Sequence, residues 1–169
     1  MKLVLILVLL ILAVMIVVGT LLDNRVSSYF LDDFRSQMEE VFTQRFLSEL
    51  NQACSQEEAP VQLREMVAAY SGLLGIDANR DFCILSASSG AYLTGSDDAL
   101  GEKLEITPNI ITALSGGVGS RLSSMNDYMD FAVPVTDGEA SYIIYIYDDK
   151  SDTSELTWML FELKPTLII

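Results

Sequence analysis

YMDFAVPVTDGEASYIIYIYDD, residues 128–149, holds two strand-like runs around an Asp-Gly pair. The period of two predicts strands over 128–135 and 140–147. Asp137 and Gly138 between them suit a tight hairpin, because both tolerate the positive φ angles that a two-residue turn demands. The second run, from Tyr142 to Tyr147, is apolar on both faces, which marks a central strand covered on both sides.

Working upstream, residues 82–87 and 91–94 read as two more strands turning at Ser88-Ser89-Gly90, and 118–123 as another, so that five strands follow one another in the chain. Thr107 and Pro108 open a short helix that runs to Leu114, and Gly116-Gly117 stops it. A helix over 61–74 carries Val61, Met66, Val67, Tyr70, Leu73 and Leu74, with Gly75 placed to end it. Before it, Val26, Phe30, Phe34, Met38, Val41, Phe42 and Phe46 recur at spacings of three and four, so residues 23–53 read as one helix whose stripe covers the sheet. The same stripe offers a second use, pairing with its copy in a homodimer. Short links make the strands antiparallel, and helices segregated to the chain ends give an α+β class.

The stretch LVLILVLLILAVMIVVGTLL, residues 3–22, contains no charge. As a helix it reaches about 30 Å, the thickness of a bilayer's hydrocarbon core. A cleaved signal peptide would have a shorter apolar run, about 7–15 residues, ending at a small-x-small site, and none follows here. The segment reads as an uncleaved signal anchor. Lys2 precedes it, while nine of the ten basic and all 24 acidic side chains follow it. The positive-inside rule puts the N-terminus in the cytoplasm and the acidic remainder outside the cell membrane. The chain then divides into the anchor (1–22), N-terminal helices (23–74), a sheet core (75–149) and a C-terminal juxtamembrane helix (150–169), the last also readable as the start of a second span. Within it Asp152-Thr-Ser-Glu155 resembles a capping box, and Trp158 suits a membrane interface.

Composition narrows the chemistry. A formal net charge of −14 argues against nucleic acid as a partner. With no histidine anywhere, Ser-His-Asp and Cys-His catalysis and histidine metal sites are excluded. No GxSxG motif is present, the acidic pairs match no calcium-loop spacing, and nothing calls for a cofactor. The expectation is a binding or sensing module rather than an enzyme.

The segments GIDANRDFCIL, SGAYLTGSDDALGEKL, TPNIITALSGGVG, YMDFAVPV, YIIYIYDDKS and ELTWMLF, following an anchor and an emerging helix, resemble the extracytoplasmic PAS-like (single Cache) sensor region of Gram-positive cell-wall-regulating sensor histidine kinases. The resemblance covers roughly residues 1–161. It implies a five-stranded sheet split after its second strand, and a homodimeric input domain that reports on an envelope ligand or small molecule to a cytoplasmic kinase. The chain departs from the pattern at its end, where Glu162, Lys164 and Pro165 stand in place of a second apolar span. The family's phosphorylated histidine has no counterpart.

Tyr92, Arg121, Tyr128, Asp130 and Tyr145 are the candidate ligand-binding residues. In the drawn topology several converge beneath the short helix, with Arg121 suited to a carboxylate and Asp130 to an amine. Core packing explains the tyrosines equally well. Cys54 and Cys83 leave two readings open, a disulfide or two buried free thiols. A pilin-like structural subunit shares the apolar N-terminal helix, but would need a basic leader and an early glutamate within that helix.

Overall fold

The computed structural model describes residues 2–77, 79–138 and 140–150. The C-terminal helix, its capping box and Trp158 lie outside the described residues. The elements run α1 (Lys2–Val41), α2 (Gln44–Ala53), α3 (Ala59–Ala68), α4 (Ser71–Leu74), β1 (Arg80–Ser86), β2 (Tyr92–Gly95), α5 (Ala99–Lys103), α6 (Pro108–Leu114), β3 (Met129–Thr136) and β4 (Ser141–Asp148).

Helix α1 continues without a break from the apolar run into the amphipathic stripe, because no Gly-Pro signal intervenes, and spans 40 residues. Its N-terminal part is long and apolar enough to cross a membrane. The large side chains there stand exposed, Ile6 by 63 % and Leu22 by 52 %. Further along, Phe34, Met38 and Val41 are buried against the rest of the fold.

The single helix expected over 23–53 breaks at Phe42 and Thr43. Thr43 has an extended backbone and its Oγ1 accepts a hydrogen bond from Phe46 N at 3.3 Å, capping α2. The break turns the chain while keeping the stripe inward, since Phe46, Leu50 and Ala53 remain buried. The helix expected over 61–74 is likewise two pieces, α3 and α4, interrupted at Tyr70. Gly75 ends it as the sequence requires, with a φ of +65°. Helix α5 lies in a stretch with no clear periodicity and was not anticipated from it.

The sheet order is β2-β1-β4-β3, every neighbour antiparallel. Strand β4 is central and buried on both faces, as its two-sided apolar pattern demands. Among the described residues there are four strands where five were expected. Residues 118–123 contribute one bridge, in which Gly119 and Ala132 exchange two hydrogen bonds of 2.8 Å. Asn109 supplies the reason. A Cβ on Gly119 would stand 2.2 Å from the Asn109 carbonyl oxygen, so the chain is pressed onto α6. Beyond the bridge, the Arg121 N–H donates to Asn109 Oδ1 at 3.0 Å instead of to a strand. Strand β3 is thereby left as an edge, which accommodates Pro134 and its missing N–H. The hairpin between β3 and β4 is also longer than the two-residue turn expected. Thr136 pairs with Ser141, and Asp137 and Ala140 close the four-residue loop between them through Asp137 N–H to Ala140 O at 3.3 Å and Ala140 N–H to Asp137 Oδ1 at 3.0 Å.

The two faces of the sheet bury different clusters. Phe82, Ile84, Phe131, Val133, Ile144 and Ile146 meet α1 to α4. Cys83, Leu85, Ala132, Ile143 and Tyr145 meet α6 and its surroundings.

Candidate functional site

Helix α6 organises the second face. Thr107 caps it, its Oγ1 accepting from Ile110 N at 3.2 Å and donating to Asp130 Oδ2 at 2.6 Å. Asn109 Nδ2 donates to Asp130 Oδ1 at 2.7 Å and to the Arg121 carbonyl at 3.0 Å. The Tyr145 hydroxyl donates to Asp130 Oδ2 at 3.2 Å. Burial raises the Asp130 carboxyl above its ordinary range, although the three donors pull it back. Burial also raises the Tyr145 hydroxyl, and the Asp130 charge adds to it.

Outside this seam lies a cleft of about 550 Å³ between the sheet, α5 and the start of α6. Its wall includes Tyr128, Tyr145 and Tyr147, with Leu100 and Leu104 opposite. Tyr128 and Tyr147 stack with ring centroids 5.7 Å apart and planes inclined by 22°. Asp81, Asp97, Glu105 and Asp149 line the cleft, and among the described residues Lys103 is the one cation there. Burial raises the Tyr128 and Tyr147 hydroxyls, and neighbouring carboxylates, Glu105 among them, raise them further.

The five candidate residues are not gathered in one place. Tyr128 and Tyr145 line the cleft. Asp130 sits behind its wall, both carboxylate oxygens already accepting side-chain hydrogen bonds, which leaves it a structural role and not the expected amine-binding one. The Tyr92 hydroxyl donates to Asp98 Oδ1 at 3.2 Å, and burial with that bond pushes its pKa up to about 12. Arg121 is exposed, held to Asn109 through its backbone, and absent from the cleft. Cys54 and Cys83 are free and buried. They belong to clusters on opposite sides of the sheet, so the disulfide reading gives way to two separate thiols. Burial pushes the Cys54 thiol up to about 11 and the Cys83 thiol higher still.

Sequence reasoning missed Tyr147, Asp149, Asp81 and Glu105. The signal was available for two of them, because Tyr145, Tyr147 and Asp149 alternate along β4 and its continuation onto one face. It also missed Arg80, on the opposite face. Arg80 Nε donates to Asp148 Oδ2 at 2.8 Å, and the two side chains are 12 % and 11 % exposed. Its Nη1 donates to the Leu74 carbonyl at 2.7 Å and to Gln37 Oε1 of α1. The guanidinium lies 4.9 Å from the Phe34 ring centroid, also on α1. Arg80 pairs with Asp148 and Asp81 with Tyr147 in the ladder. Adjacent residues of β1 and β4 therefore face the cleft on one side and grip α1 on the other.

No family model matches the sequence, and a search of curated proteins finds no match to it.

Proposed function

We propose that the chain is the extracytoplasmic input module of a membrane-bound sensor histidine kinase, with a PAS-like (Cache) sheet that binds a small envelope ligand in the cleft beside α5 and α6. One observation carries this reading: the same strand ends line the cleft and hold the apolar N-terminal helix through Arg80. A ligand that draws on Asp81, Tyr147 or Asp149 moves the backbone of Arg80 and Asp148, and through them Gln37 and Phe34. Such a grip converts occupancy of a pocket into displacement of a membrane helix. The split of the sheet after β2, with β4 returning to pair with β1, supports the resemblance seen in the sequence. So does the isolated bridge of Gly119 to Ala132 on the outer edge of β3, the edge on which a fifth strand would pair. With Phe34, Met38 and Val41 turned onto the sheet, homodimer pairing uses the other side of α1, where Tyr29 is 66 % exposed.

Two observations test the proposal. Met125 is 92 % exposed, and both native cysteines are buried. In the Met125→Cys variant, a membrane-impermeant maleimide labels intact spheroplasts if the domain is outside; labelling only after lysis refutes that placement. The reading frame beyond residue 169 is expected to encode a dimerisation-histidine segment and an ATP-binding domain. A frame encoding neither refutes the kinase assignment.

A further inference from the structure

We infer that the cleft beside α5 and α6 selects an organic cation, an amine or quaternary ammonium group, an inference that rests on reading this cleft as the ligand site. Its volume of about 550 Å³ is in the range of small-molecule sites. The stacked rings of Tyr128 and Tyr147 give it an aromatic wall, and a π face attracts a cation through its quadrupole. Among the described residues the charges at its margin are four carboxylates, Asp81, Asp97, Glu105 and Asp149, against Lys103 alone, so an anion entering it is repelled. A metal ion fits less well, because the described residues hold no group of three or more His, Cys, Asp or Glu side chains placed to coordinate one. Two of the carboxylates are held apart by local bonds, Asp81 by Ser96 Oγ at 2.8 Å and Asp97 by Ala99 N at 2.9 Å. Dispersed negative charge beside an aromatic wall complements a cation whose charge is spread over several carbons.

The test uses the full chain in zwitterionic nanodiscs, titrated calorimetrically with choline and with its uncharged isostere 3,3-dimethylbutan-1-ol. Choline is expected to bind at least about tenfold more tightly than the isostere, an energy within the range of a desolvated cation on an aromatic face. The Glu105→Gln/Asp149→Asn double variant and Tyr147→Leu should each remove that preference, while Glu39→Gln on α1 should leave it intact. Equal affinity for choline and the isostere, or a preference that survives the double variant, overturns the inference. Crystal soaks with neutral, anionic and cationic fragments separate the two levels of the proposal. Neutral or anionic fragments seated in the cleft without cations keep the sensing site and reject its charge selectivity. A cleft empty across the whole panel rejects both.

Discussion

The two faces of the sheet are drawn from the same strands, yet they are finished in opposite ways. One is covered by α1 to α4 with apolar side chains, among them Phe34, Leu50, Phe82 and Ile144, each at most 2 % exposed, and holds a smaller cavity of about 310 Å³ beside Met38, Phe42 and Phe131. The other buries a carboxylate, Asp130, within a hydrogen-bonded seam and leaves a cleft beside it. The first face is a core that fixes the fold and the exit of the apolar helix. The second buries a smaller apolar cluster together with polar groups that must all be satisfied, and those polar groups specify the position of α6 at little net gain in stability.

The largest effect should therefore come from the helix-covered face. Phe82→Ala is expected to cost about 4 kcal/mol, the loss of a buried aromatic plus the cavity it leaves. Urea denaturation of the full chain in micelles checks it, and a cost below that of Asp130→Asn would reverse the ranking of the faces. Next comes the link between them. Arg80→Met is expected to cost about 3 kcal/mol, because it strands the Asp148 carboxylate without its partner. Adding Asp148→Leu should recover most of that loss, and a double variant as unstable as the single would show that the pair is not the source.

On the cleft side, Asp130→Asn is expected to cost only about 1 kcal/mol near neutral pH, since an amide N–H then faces the Asn109 donor. Its signature is in the pH dependence. The folded-state pKa of Asp130 is raised above the ordinary 3.8, so the folded chain holds that proton more tightly than the unfolded chain. Its contribution to stability is fully present below the unfolded value and is lost as pH rises through the raised folded value. The stability of the natural chain minus that of Asp130→Asn should fall with rising pH across that window, and a difference that climbs contradicts the burial of the carboxylate. Smallest of all is Thr43→Ala at the junction of α1 and α2, expected to cost about 1 kcal/mol or less through loss of a partly buried cap. A far larger loss on thermal melting would mean the break between the helices is held by that bond alone.

Local chemistry was legible in the sequence, and contacts across it were not. Thr107-Pro108 and Gly75 announce a helix start and stop because a cap or a positive φ is decided within a few residues. The uninterrupted run into the amphipathic stripe foretells α1, and the two-sided apolar pattern of Tyr142 to Tyr147 foretells a central strand. The run 118–123 also read as a strand, but its outcome was set by the fit of Gly119 against the Asn109 backbone. Nothing in the apolar spacing around Phe42 signals the break there, since the stripe is conserved through it. The site was less legible still. Asp130 looked like a ligand contact until Thr107, Asn109 and Tyr145 were brought around it. Arg80 acquires its role from Gln37 and Asp148, residues 43 and 68 positions away.

The coupling of the two faces through Arg80 is tested most directly by hydrogen exchange in the full chain in nanodiscs. Tyr147→Ala, a change confined to the cleft side, should accelerate exchange at the amides of residues 34–41 of α1. In an Arg80→Met background the same change should add nothing. Exchange over residues 34–41 that is indifferent to Tyr147→Ala while Arg80 is present would contradict the account.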